Sequence, residues 1–196
     1  MLTNAEREHL YLLGLGRQPE VRYRPPNGIT PRHQRILDAM ETCPALVRTA
    51  TWDVIAWNAA SAAVMTDWGA VPKCERNVLR QIFLDPHSRQ LNCDWEKIAR
   101  FVVSVFRGDA ARAGANESVQ PFIEKLTRES TDFARLWHDA DVAGLDDGEK
   151  CLRHPVGGDI MLDYSSFAVD GRSDLVMLVH TPATAIDEER VRSLLA

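Results

Sequence analysis

The chain has 196 residues, a hydrophobic fraction of 45% and a formal net charge of −5, which fits one globular domain with a sizeable core. An acidic chain lacks the positive field with which proteins bind nucleic acid, so we do not expect it to bind DNA or RNA by itself. No signal-peptide pattern and no run of about 20 apolar residues is present, so we expect a cytoplasmic protein that makes no membrane contact.

Two helices are predicted before the first strand. A capping-box pattern at 3–6 begins a short helix that runs to Leu13, and glycines and prolines up to Gly28 predict an extended linker. Thr30 and Pro31 then predict a second helix start, because proline is favoured in the first helical turn.

Two short strands and a helical middle come next. Residues 45–50 and 54–57 have the composition of strands joined by a turn, and Asn58 is placed to cap an alanine-rich helix. Further helices are predicted where apolar residues recur at spacings of three and four. These helices begin at Asp94, Ser118 and Ser130, and the first is expected to end near Gly108.

The last part of the chain changes to strand patterns. Residues 151–154 and 159–164 flank two glycines, which predicts a hairpin, and the apolar run at 175–179 predicts a central strand. Thr184 is placed to cap a final helix. This order predicts an α+β domain, with helices packed on one face of an antiparallel sheet. We expect a leading segment at 1–29, the main domain at 30–182 and a C-terminal helix at 183–196.

An ordered set of motifs across residues 30–181 resembles the MmyB-like transcription-regulator ligand-binding domain. The motifs lie at 52–58, 75–79, 83–86, 94–96, 133–137, 153–158 and 162–164. The resemblance implies a PAS-like fold, in which the sheet curls around a pocket for an apolar small molecule such as a fatty acid. It also implies an N-terminal helix-turn-helix DNA-binding domain of the xenobiotic-response-element type.

No helix-turn-helix pattern precedes Thr3. The chain is therefore expected to be either a fragment of a longer regulator or a free-standing sensor. In both cases DNA contact would need a domain that this sequence lacks.

Large aromatic side chains and one arginine are the candidates for the pocket wall. The arginine guanidinium can hold a ligand carboxylate through two parallel hydrogen bonds. The alternatives are plain core packing for most of the aromatic residues, and a salt bridge to Asp163 or Glu149 for the arginine. The candidates are Trp57, Phe83, Trp95, Phe101, Phe106, Phe133, Trp137, Arg153 and Tyr164.

Motifs for catalysis or metal binding are missing from the sequence. It contains no G-x-S-x-G, no glycine-rich phosphate loop and no H-E-x-x-H, and its six histidines are isolated from one another. Its four cysteines are scattered without a C-x-x-C pair, a spacing more typical of reduced thiols than of disulfides or a zinc site. We therefore expect neither an enzyme nor a cofactor or metal.

Two functions remain. The first is a sensor whose interior is hollow and accepts an apolar ligand. The second is a homodimerisation module with a filled core, in which the end helices at 3–13 and 184–196 form the interface.

Overall fold

The computed structural model describes residues 28–112, 116–139, 148–170 and 172–196. One antiparallel sheet has the strand order β2-β1-β5-β4-β3. Its strands are β1 (Ala45–Thr49), β2 (Val54–Trp57), β3 (Glu149–His154), β4 (Gly158–Val169) and β5 (Arg172–Pro182). The predicted hairpin is β3–β4, and the apolar run predicted as a central strand lies in β5, between β1 and β4. The α+β class and the antiparallel sheet are confirmed.

Eight α-helices lie in the described residues. They are α1 (Pro31–Asp38), α2 (Ala59–Val64), α3 (Val78–Leu84), α4 (Pro86–Leu91), α5 (Trp95–Arg112), α6 (Asn116–Glu129), α7 (Thr131–His138) and α8 (Ala185–Leu195). The predicted caps Asn58 and Thr184 each accept a hydrogen bond from a backbone amide of the first turn, as do Thr30 and Ser130 at two predicted helix starts. The helix predicted at 3–13 and its linker lie outside the described residues.

Three features of the helical middle were not predicted. Helices α3 and α4 have only seven and six residues, too short for a clear apolar period. Helix α5 continues past Gly108, where its end was expected. Phe106 and Ala110 on either side of this glycine are both buried, and such packing outweighs the roughly 1 kcal/mol by which glycine disfavours a helix.

Alternation of side chains divides the sheet into two faces. On the inner face Leu46 lies opposite Leu178, Tyr164 lies opposite His180, and Lys150 lies two residues along the strand from the inner-facing Leu152. Helices α2, α3, α4, α5 and α8 contribute residues to the clusters and the cavity on this face.

Helix α1 packs on the opposite face. Leu37 of α1 is buried against Val47 and Leu175, while Asp163 and Phe167 of β4 remain exposed on this side of the sheet. The sequence predicted helices on one face of the sheet only. The inner face agrees with this prediction, but α1 covers part of the opposite face. Its apolar stripe needs a second surface, which β1 and β5 provide.

Asn58 connects α1, β1 and α2. Its Oδ1 accepts hydrogen bonds from the amides of Ser61 and Ala45, at 2.9 and 3.0 Å. Its Nδ2 lies within hydrogen-bond distance of the carbonyl oxygens of Leu37, Met40 and Cys43. The predicted cap is therefore also a buried connection between three elements.

Replacing Asn58 by alanine is expected to lower the free energy of unfolding by about 2–4 kcal/mol, because several buried backbone groups lose their partner together. Ser130→Ala removes a single cap bond and is expected to cost about 1 kcal/mol. Urea denaturation of both variants measures the difference. Equal losses would mean that Asn58 is only a cap.

Candidate ligand-binding site

A cavity of about 80 Å³ lies between the inner face of the sheet and helices α3, α4 and α5. It is mainly apolar. Its wall consists of Leu46, Trp52, Met65, Thr66, Trp68, Val78, Gln81, Ile82, Leu91, Asn92, Ile98, Phe101, Val102, Lys150, Tyr164, Leu178 and His180. Such a volume holds a handful of waters or the end of an apolar molecule. It is smaller than the roughly 300–1,000 Å³ of most small-molecule sites.

Three of the side chains that line this cavity carry a buried polar atom without a hydrogen-bond partner among the described residues. These atoms are Nε1 of Trp68, Oδ1 of Asn92 and Nδ1 of His180. The orientation of the Asn92 amide is set by its Nδ2, which donates to the carbonyl oxygen of Ser88 at 2.7 Å. An unsatisfied buried polar group costs roughly 1–3 kcal/mol and is uncommon in native proteins. Such atoms are typically completed by ordered water or by a polar ligand.

Lys150 brings a positive charge to the same wall. Burial lowers the pKa of its amine to about 8, because an ammonium loses hydration in apolar surroundings. Burial, together with the charge of Lys150, lowers the pKa of His180 to about 3, and burial raises the pKa of Tyr164. At pH 7 the cavity therefore has a lysine cation beside a neutral imidazole and a neutral phenol.

A charged pair, Arg48 and Asp109, fixes the position of Trp52 in the cavity wall. Arg48 Nη2 lies 2.7 Å from Asp109 Oδ2, and the indole Nε1 of Trp52 donates to the same oxygen at 2.9 Å. The Arg48 guanidinium lies over the indole ring, 4.1 Å from its centroid. Trp52 has a φ of 66°, a left-handed conformation that costs a non-glycine residue roughly 1–2 kcal/mol. The contacts of its side chain offset this strain and fix the ring at the cavity.

The family model for the MmyB-like transcription regulator ligand binding domain matches residues 29–194. The chain belongs to this family. A search of curated proteins found no match. In the part of the chain that the structure describes, no helix is long and apolar enough to cross a membrane. Nor do three or more His, Cys, Asp or Glu side chains of those residues come together as metal ligands.

Of the nine residues predicted for the pocket of this MmyB-like domain, two line the cavity and seven lie elsewhere. Phe101 and Tyr164 line the cavity, with ring centroids 5.5 Å apart. Trp57 lies outside it, with the guanidinium of Arg76 5.0 Å from its ring. Five others pack in the core of the helical layer and do not line the cavity: Phe83, Trp95, Phe106, Phe133 and Trp137.

Arg153 lies on the solvent side of β3. It is directly opposite Asp159 in the register and pairs with its carboxylate at 3.5 Å, with both side chains exposed. The salt bridge that the sequence offered as the alternative is therefore present, but with Asp159 rather than Asp163 or Glu149.

The polar cavity residues Lys150, Asn92 and His180 were missed by the sequence analysis. A signal existed for two of them. Lys150 is in phase with the buried Leu152, and His180 is in phase with the buried Leu178, so strand alternation would direct both to the inner face.

Cys93 and Cys151 form a disulfide, which corrects the expectation that the cysteines are reduced thiols. The segment after α4 runs beside the edge strand, where Asn92 bridges to Leu152 and the amide of Cys93 donates to the carbonyl of Cys151 at 3.2 Å. The two cysteines are 58 residues apart in sequence, so their meeting depends on the fold and not on local spacing. The disulfide therefore holds together the two chain segments that bring Asn92 and Lys150 to the cavity wall.

Lys150→Met is expected to raise the free energy of unfolding by about 1–3 kcal/mol at pH 7, because it removes a desolvated charge and keeps the length of the side chain. Between about pH 8 and the ordinary lysine value of 10.5, the unfolded wild type binds a proton that the folded wild type has lost. Wild-type stability should therefore rise with pH in this window, and the variant should lack that rise.

Urea denaturation at pH 7 and pH 10 tests this stability difference. Arg153→Met is the matched control: it removes an exposed cation from the same strand and should change stability by less than about 0.5 kcal/mol. A Lys150→Met variant less stable than wild type at pH 7 would contradict the interpretation of Lys150 as a destabilising, half-buried charge.

Reduction of the disulfide is expected to destabilise the domain by about 2–4 kcal/mol, because it releases a long loop in the unfolded chain. Thermal unfolding with and without a dithiol reductant measures the loss. A Cys93→Ser/Cys151→Ser variant should not respond to the reductant. A Cys43→Ser/Cys74→Ser variant, which changes the two free cysteines, should respond as wild type does. Alkylation of four thiols in the unreduced wild type would show that the disulfide is absent.

Proposed function

We propose that this chain is the sensing domain of a transcription regulator and binds an apolar or amphipathic small molecule, such as a fatty acid, in the cavity on the inner face of the sheet. The observation that carries the proposal is the apolar cavity lined by Trp68, Asn92 and His180, each with a buried polar atom that no described residue pairs with. A domain that served only as packing would satisfy these atoms or replace them with apolar groups. The family supports a binding role rather than a catalytic one.

Ligand binding would widen the cavity. Each buried methylene contributes about 0.8 kcal/mol, so an apolar body can offset the work of moving the short helices α3 and α4 from the sheet. These helices form one wall of the cavity, and α5 follows them directly in the chain. A ligand that binds the widened form more tightly would shift the population toward it.

We propose that this shift alters DNA binding by a helix-turn-helix domain outside this sequence. By linkage, DNA and ligand then change each other's affinity by the same factor. We also propose a cytoplasmic location for a protein in this role.

Self-association is the second candidate function. On α8, Ile186 is 66% exposed and Leu195 is 37% exposed, and exposed apolar side chains on one helix favour contact with a second copy. We propose a homodimer in which α8 takes part. Light scattering of the wild type and of Ile186→Glu separates this role from ligand binding, because Ile186 does not line the cavity.

Filling the cavity is expected to abolish ligand binding. Val102 is buried on α5 and lines the cavity, whereas Val156 is 83% exposed in the β3–β4 turn. Val102→Phe should lose the thermal stabilisation by apolar acids or alcohols that wild type shows, which amounts to about 2.7 kcal/mol at a ligand concentration of 100 times Kd. Val156→Phe should keep it.

Thermal shift with a panel of acids and alcohols of increasing chain length measures this effect, and circular dichroism verifies that both variants are folded. Native mass spectrometry of wild type from several expression hosts should detect a bound lipophile. A wild type that always purifies empty and responds to no member of the panel would overturn the proposed function.

A further inference from the structure

Lys150 is a cation at the cavity wall without a counter-charge among the described residues. Among the residues that the structure describes, no aspartate or glutamate lines the cavity. The ionisable groups that face it from the neighbouring strands are His180 and Tyr164, both neutral at pH 7. Helices α3, α4 and α5 contribute only uncharged residues to the wall, and the Arg48–Asp109 pair beyond Tyr164 is internally balanced. The described lining of the cavity therefore carries a net positive charge at pH 7.

The neighbours of Lys150 supply further hydrogen-bonding groups. Trp68 Nε1 is a donor and His180 Nδ1 can donate in one tautomer. Asn92 Oδ1 is an acceptor next to the edge strand, since Asn92 bridges to Leu152 on β3. An ammonium has three donors, which is enough to serve a ligand oxygen and Asn92 together. A carboxylate accepts at both oxygens and so matches a lysine with nearby N–H donors.

Arg153, the anchor first considered from the sequence, cannot take this role from where it lies. Residues three apart on a strand point to opposite faces, so Arg153 faces solvent when Lys150 faces the cavity. Its guanidinium also already pairs with Asp159. Lys150 can therefore be tested by substitution, with Arg153 on the same strand as the control.

The size of the cavity limits the apolar part of the guest. At about 80 Å³ it is smaller than a cavity of about 150 Å³ that accepts benzene. A long acyl chain would need a large rearrangement, whereas a chain of a few carbons needs a small one.

We infer that the cavity selects a compact organic anion, a monocarboxylate with a short apolar body, and that Lys150 holds its carboxylate. This inference rests on the proposed function and narrows its ligand class. Lys150 would act as the residue that distinguishes acids from neutral molecules of the same shape.

Calorimetric titration with matched pairs of ligands tests the inference on the full chain. The pairs are butanoate with 1-butanol and hexanoate with 1-hexanol. Wild type is expected to bind each acid at least about tenfold more tightly than its alcohol at pH 7, a difference of about 1.4 kcal/mol. Lys150→Met should erase this preference by weakening acid binding far more than alcohol binding, and Arg153→Met should behave as wild type.

A pH series gives a second readout that does not depend on a variant. Above about pH 8 the amine of Lys150 loses its proton, so the preference of wild type for the acids should fall between pH 7 and pH 10, with a much smaller change in alcohol binding. A purely structural role for Lys150 would not produce this selective loss.

The outcomes separate the two proposals. Equal binding of acids and alcohols, or an acid preference that survives Lys150→Met, overturns the inference and leaves the sensor function standing. Binding of tetradecanoate alone, with none of the short acids, overturns the inference in the same way. Failure of every acid and every alcohol to bind overturns the inference together with the proposed function.

Discussion

Two-residue alternation along β3, β4 and β5 is the constraint on which the site depends. It directs Lys150, Tyr164 and His180 toward the helices and directs Arg153 and Asp163 toward solvent. A register slip of one residue would exchange these sets and bury the wrong charges. The central position of β5, which is paired on both sides, stabilises the register that builds the cavity.

The wall of the cavity combines contacts that stabilise the fold with groups that destabilise it. The Arg48–Asp109 pair and the ring of Trp52 form a buried polar contact, and the Cys93–Cys151 disulfide joins the segment after α4 to the edge strand. Against these stand a desolvated lysine and three unpaired polar atoms. A chain selected for stability alone would remove the second group, so their presence together supports the proposed binding role.

Local signals in the sequence predicted most of the fold. Caps at Thr30, Asn58, Ser130 and Thr184 begin helices in the structure, and the glycines of the β3–β4 turn mark the hairpin. These features depend on residues a few positions apart, whose chemistry is readable without the fold.

The candidate site was harder to predict from the sequence, because it depends on where the side chains of the sheet and the helices leave a cavity between them. Phe106 and Phe133 belong to a core, whereas Phe101 of the same helical layer reaches the cavity, and no periodicity distinguishes them. The meeting of Cys93 with Cys151, and of Asn92 with β3, is set by tertiary contacts over a long stretch of chain. For Lys150 and His180 the sequence did contain a signal, their phase with the buried Leu152 and Leu178, but the sequence analysis did not use it.

The hollow interior is the central claim, and a crystal structure of the chain under xenon pressure tests it most directly. Xenon enters apolar voids of sufficient size, so its electron density is predicted inside the cavity, between Phe101 and Leu178. Side-chain density that fills this space, with no bound xenon, would contradict the account.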